Sequence, residues 1–82
     1  MALKNDPWHK KEEYRPKSDH ERLSYLAEEC GEVLAAAGKS LRFGLESYHP
    51  NPLLAQESNA EWLARELKDL KVAIELLERY TL

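Results

Sequence analysis

The chain has 82 residues, 43% of them hydrophobic, and a formal net charge of −3. This length allows one domain, and the negative charge argues against nucleic-acid binding, because the phosphate backbone would be repelled. The sequence has no apolar run long enough to span a bilayer and no apolar segment of a secretory signal, so we expect a cytoplasmic protein that binds no membrane.

Residues 1–17 predict a loosely structured N-terminal arm, and residues 18–82 predict a helical domain. Ser18 and Glu21 have the spacing of a capping box, which predicts a helix start. Apolar residues then recur every three or four positions, which predicts a helix of roughly six turns that stops at Gly44. The predicted stripe consists of Leu23, Leu26, Cys30, Val33, Leu34, Ala37 and Leu41. Because Cys30 lies on this stripe, we expect it to be a small buried hydrophobic residue.

Residues 45–57 carry two prolines and predict a connecting loop, and Ser58 with Glu61 predicts the start of a second helix. The second stripe consists of Leu63, Leu67, Leu70, Ile74 and Leu77. One hairpin of two helices cannot cover both broad apolar surfaces. We therefore predict an all-α protein whose helical hairpin completes a four-helix bundle by homo-oligomerisation, as a dimer or a tetramer.

Two acidic pairs border the predicted stripes, Glu29 with Glu32 and Glu66 with Asp69. Residues three apart on a helix lie on the same side, so antiparallel packing would direct both pairs into one cleft. Four carboxylates without compensation would repel one another, whereas a hard divalent cation such as magnesium uses oxygen ligands. The alternative is that these are ordinary solvated carboxylates, in which helix surfaces are rich. Spacing alone leaves both interpretations open.

The segment LAEECGEVLAAAGKSLRFG, followed by N-x-x-x-L-x-x-E-L-x-D-L, resembles the MazG-like all-α nucleoside triphosphate pyrophosphohydrolases. The likeness covers roughly residues 20–78 and is strongest to the short bacteriophage and prophage forms, which implies a bacterial cell or phage-infected host. That family carries E-E-x-x-E on one helix and E-x-x-D on the next. The chain departs from the family at Lys68, where a small residue is usual. Lysine there would either crowd the helix seam or extend outward.

The resemblance implies an enzyme that hydrolyses a (d)NTP or a related nucleotide to the monophosphate and pyrophosphate. It implies that magnesium, or alternatively manganese, is bound by Glu29, Glu32, Glu66 and Asp69. Glu28 and Glu32 would be the catalytic carboxylates, with Glu28 in an outer position or orienting a water molecule.

Five further residues are candidates for substrate binding. Lys39 and Arg42 could meet phosphate oxygens, and Phe43 and Tyr48 could stack on a base. Asn59 belongs to the resemblance, although a role at the helix start explains it equally well. The competing hypothesis is a catalytically inactive helical dimer that acts as a nucleotide-binding or regulatory module. A third is a protein that sequesters nucleotides without hydrolysis.

Overall fold

A computed structural model describes residues 5–51, 53 and 56–82, and within these ranges the protein is all-α. A short 3-10 turn, Glu12–Tyr14, precedes two long helices, α1 (Asp19–Phe43) and α2 (Asn59–Tyr80). An isolated antiparallel bridge joins Tyr48 to Ser58, and the described ranges contain no strand. The all-α prediction is confirmed. In the described part of the chain, neither helix combines the length and apolar character needed to cross a membrane.

Local sequence signals explain where the helices begin and end. The Ser18 hydroxyl accepts a hydrogen bond from the Glu21 N–H at 3.0 Å, while the Glu21 carboxylate accepts one from the Lys17 N–H rather than from Ser18. At the start of α2 both halves of the predicted capping box form. Gly44 ends α1 with a φ of 96°, a left-handed conformation that favours glycine. Both predicted helix starts and the predicted stop are confirmed.

The two helices pack antiparallel, and hydrogen bonds at both ends of the hairpin show this directly. Arg22 near the start of α1 donates to the Thr81 hydroxyl after the end of α2, at 2.7 Å. At the other end, the Asn59 side chain donates to the Gly44 carbonyl oxygen at 2.9 Å. Ala36 and Ala73 are 0% and 1% exposed. Small buried residues on both helices allow a close approach of the two backbones.

The face of α1 that packs on α2 differs from the predicted stripe. Glu29 and Ala36 lie in the seam, whereas Cys30 is exposed, so the prediction that this cysteine is buried is wrong. A step of one residue turns a helix by about 100°, which carries Cys30 out of the seam that Glu29 occupies. Three leucines of the predicted stripe share this exposed flank: Leu23, Leu34 and Leu41.

An apolar surface therefore remains on one side of the hairpin, which we call the open face. On α2, Leu67 and Ile74 are 39% and 42% exposed. Leu67 follows the buried Glu66 by one position, as Cys30 follows Glu29. Because the two helices are antiparallel, a step of one residue beyond the buried position turns the next side chain to the same side of the hairpin on both helices. The open face is formed by Leu23, Cys30, Leu34, Leu41, Leu67 and Ile74.

The N-terminal arm has one short element, the 3-10 turn, among its described residues, and it is anchored to the hairpin. The Asp6 carboxylate accepts a hydrogen bond from the Tyr80 hydroxyl at 2.8 Å and pairs with Arg15 at 2.5 Å. The Trp8 ring meets the ring of Tyr25 on α1 edge-on, with centroids 5.7 Å apart. The contacts with Tyr80 and Tyr25 join the arm to more distant parts of the chain, and the local composition of the arm gives no sign of them.

Candidate metal centre and adjoining cavity

Three carboxylates from two helices meet in the seam of the hairpin. Glu29 lies on α1, and Glu66 and Asp69 lie one turn apart on α2. One oxygen of each lies within 4.8 Å of the other two, and the residues are only 6%, 4% and 9% exposed. Exposed acidic clusters are common on helices, but a buried cluster of like charges requires compensation. We call these three residues the carboxylate cluster.

Glu29 is the member whose compensation is incomplete. Burial, followed by the charges of Asp69 and Glu66, raises the pKa of the Glu29 carboxyl above its usual value. Its Oε2 atom is buried and has no hydrogen-bond partner among the described residues. Leaving such an atom unsatisfied costs about 1–3 kcal/mol. An oxygen-binding divalent cation would satisfy this atom, so the donor set fits magnesium or manganese.

The other two carboxylates already face nitrogen-bearing side chains. Arg65 donates to Glu66 at 2.8 Å. A hydrogen bond to Glu57, opposed by burial, raises the pKa of the Arg65 guanidinium. Asp69 is approached at 3.5 Å by both His9 and Lys10 of the arm. The cluster is thus partly neutralised on its α2 side, while at Glu29 the charge of Lys10 offsets only part of the effects that raise the pKa of that carboxyl.

Tyr25 is a site residue that the sequence interpretation missed. Its hydroxyl is buried and has no hydrogen-bond partner among the described residues. Burial, then the charges of Glu29 and Asp69, raise the pKa of the Tyr25 phenol well above its usual value, so the group stays a protonated donor. Tyr25 precedes Glu29 by one helical turn, and this spacing was the signal that could have identified it.

The structure brings together three of the four predicted metal ligands and leaves Glu32 outside the group. Glu32 is exposed, although it lies only three residues, or about 60° of rotation, from Glu29, the same spacing that separates the buried Glu66 and Asp69. Glu28 is also exposed, and its charge contributes to the raised pKa of Glu29. Lys68 is exposed as well, so this departure from the family pattern does not crowd the seam.

A cavity of about 470 Å³ lies between the end of α1, the loop and the start of α2. Arg65 lines it and also bonds Glu66, which connects the cavity to the carboxylate cluster. Four of the five predicted substrate-binding residues line this cavity: Lys39, Phe43, Tyr48 and Asn59. The fifth, Arg42, is not among the lining residues, and its guanidinium carbon lies 4.9 Å from the centre of the Phe43 ring.

Two of the lining residues change the sequence interpretation. Trp62 and Arg65 both line the cavity, and neither is among the residues predicted to bind substrate. Asn59 is buried, and its amide donates to the carbonyl oxygens of Gly44 and Lys39, at 2.9 and 3.4 Å. It therefore joins the end of α1 to the start of α2, in addition to lining the cavity.

No protein-family model, curated protein or solved structure matches this chain. The geometry of the site therefore supplies the basis for a functional proposal. A buried set of oxygen ligands next to an aromatic and basic cavity can hold a divalent cation together with a phosphorylated aromatic ligand.

Proposed function

We propose that this protein is a magnesium-dependent pyrophosphohydrolase that converts a (d)NTP or a related nucleotide to the monophosphate and pyrophosphate. The observation that carries the proposal is the meeting of three buried carboxylates from two helices, with one buried Glu29 oxygen left without a partner. Solvated surface carboxylates would not be buried or converge in this way. The sequence resemblance to MazG-like enzymes points to these three residues and to Glu32.

Glu29, Glu66 and Asp69 would hold the ion. When bound, it neutralises phosphate charge and makes a water molecule more acidic. Glu32 and Glu28 flank the cluster on α1 as exposed carboxylates, and in this proposal one of them accepts the proton of the attacking water. The water oxygen bonds to phosphorus while the anhydride P–O bond breaks, so one water is consumed for each pyrophosphate released.

The cavity would hold the nucleoside part of the substrate. Its volume of about 470 Å³ is in the usual range for small-molecule sites. Phe43, Tyr48 and Trp62 offer aromatic faces on which a base can stack. Lys39 lines the same cavity and supplies positive charge for phosphate oxygens, next to Arg65, which is bonded to Glu57 and Glu66.

The test is pyrophosphate release in magnesium or manganese from a panel of NTPs, dNTPs and guanosine tetraphosphate. The wild-type protein should turn over at least one of them, and Asp69→Asn should abolish turnover with an unchanged helical circular dichroism spectrum. Lys68→Ala, at an exposed position next to Asp69, serves as the matched control and should remain active. No turnover of any nucleotide would refute the enzymatic proposal, and metal-dependent nucleotide binding without pyrophosphate would indicate a binding module instead.

The proposal includes a homo-oligomer in which the open face is covered by a second copy. Leu34 and Leu41 on that face are 74% and 89% exposed, which is costly for leucine in water. Two hairpins packed through their open faces form a four-helix bundle. In analytical ultracentrifugation the wild type should be a dimer or larger and Leu34→Glu should shift it to a monomer, whereas Leu53→Glu in the loop should not. A folded wild-type monomer at micromolar concentration would exclude this assembly.

A further inference from the structure

The N-terminal arm places two nitrogen-bearing side chains over the carboxylate cluster. Lys10 Nζ lies 3.5 Å from one oxygen of Asp69, and His9 Nε2 lies 3.5 Å from the other. Direct charge-assisted N–H···O bonds are shorter, about 2.7–2.9 Å. Both side chains remain about two-fifths exposed, at 41% and 36%. Lys10 and His9 are therefore loosely paired with Asp69 and keep donors available for another acceptor.

The position of these two residues is held by contacts on both sides of them. Before them, Asp6 accepts a hydrogen bond from Tyr80, and the Trp8 ring packs edge-on against Tyr25. Asp6 also pairs with Arg15, which follows them. Tyr25 is the residue whose buried hydroxyl has no described partner. The arm is thus tied to the same side of the hairpin at which the carboxylate cluster and the Tyr25 hydroxyl lie.

The negative charge at the site requires further positively charged groups in addition to one metal ion. Three carboxylates already exceed the charge of one divalent cation, and a phosphorylated ligand adds further negative charge. Arg65 is engaged by Glu57 at 2.6 Å and by Glu66 at 2.8 Å. In the described part of the chain, Lys10 and His9 are the residues beside the cluster that are only loosely engaged.

We propose that the arm is part of the ligand-binding site, and that Lys10 and His9 bind phosphate oxygens of a pyrophosphate group held at the carboxylate cluster. The ligand class is inorganic pyrophosphate or a nucleoside di- or triphosphate. Lysine suits this role because its ammonium is a point charge with three donors. This inference rests on the proposed function, because it requires a metal ion at the cluster and a phosphate ligand next to it.

The test is isothermal titration calorimetry on the full chain, first with magnesium alone and then with inorganic pyrophosphate at saturating magnesium. Lys10→Ala should weaken pyrophosphate binding about tenfold or more, as expected for the loss of a hydrogen bond to a charged group. Lys10→Arg should recover most of the affinity. Lys11→Ala is the matched control, because Lys11 is the adjacent lysine and is exposed, and it should bind pyrophosphate like the wild type.

Magnesium affinity separates a phosphate-binding role from a structural one. Lys10→Ala should bind magnesium as tightly as the wild type or more tightly, because it removes a cation that faces Asp69. Equal loss of magnesium and pyrophosphate affinity would overturn the inference in favour of a structural arm. Unchanged pyrophosphate binding in Lys10→Ala would overturn the inference and leave the metal site standing. A wild-type protein that binds no magnesium would refute the proposed function, and the role of the arm with it.

Discussion

Replacing Glu29 by glutamine tests whether the carboxylate cluster is built for a cation. In the metal-free protein, the Glu29 carboxyl group is buried beside two other carboxylates and has one oxygen without a described partner. Glutamine has nearly the same shape without the charge, and its amide can donate to a neighbouring carboxylate. We therefore expect Glu29→Gln to stabilise the metal-free protein, although most substitutions of buried residues destabilise.

The expected gain follows from the cost of the unsatisfied atom, about 1–3 kcal/mol. In a chain of this size, each kcal/mol shifts Tm by about 4–8 °C. Magnesium should favour the wild type over the variant. At a hundredfold excess over its Kd it should stabilise the wild type by about 2.7 kcal/mol, and it should have little effect on Glu29→Gln.

The measurement is thermal unfolding followed by circular dichroism, once in EDTA and once in magnesium. Glu78→Gln, at an exposed position on α2, is the control and should match the wild type within about 0.5 kcal/mol in both conditions. If Glu29→Gln is less stable than the wild type in EDTA, the carboxylate is compensated and the reasoning fails. If magnesium stabilises the variant as much as the wild type, the ion binds elsewhere.

Three further predictions concern stability, each measured by urea unfolding in EDTA. Because the pKa of Glu29 is raised in the folded state, the folded protein takes up the proton more readily than the unfolded chain, so Glu29 should add stability as pH falls towards the ordinary glutamate pKa of 4.5. The stability difference between the wild type and Glu29→Gln should therefore shift in favour of the wild type as pH falls, and a difference that does not change with pH would contradict the assignment. Asn59→Ala should cost about 1–3 kcal/mol, because the buried Asn59 amide loses its hydrogen bonds to the carbonyl oxygens of Gly44 and Lys39, each worth about 0.5–1.5 kcal/mol, and a loss below 0.5 kcal/mol would show that water replaces the amide. Leu76→Ala should cost about 2–5 kcal/mol, since this side chain is 1% exposed, whereas Leu53→Ala at an 81% exposed position should cost little.

The structural features that could be predicted from the sequence are those determined by residues close together in the chain. Ser58 and Glu61 form the second capping box because the two side chains are three residues apart and need only one turn of helix to meet. Gly44 ends α1 because its own backbone adopts a positive φ. The all-α class and the loop between the helices follow from the same short-range signals.

The candidate site was predictable in part for the same reason. Glu66 and Asp69 were paired by their spacing on one helix, and the structure places both in the cluster with Glu29. Glu32 satisfies the same spacing rule and is nevertheless exposed. Spacing shows which residues share a side of one helix, but it does not show how far that side is turned towards the partner helix.

Tertiary packing decided the rotation of α1 and the path of the arm. An apolar stripe on a helix is broad, and here α1 is rotated so that Ala36 and Glu29 are buried while Cys30, one residue after Glu29, is exposed. The bond between Asp6 and Tyr80 joins residues 74 positions apart. Helix periodicity and capping act within about four residues, so they set the elements. Contacts between distant parts of the chain set which side chains those elements bring together.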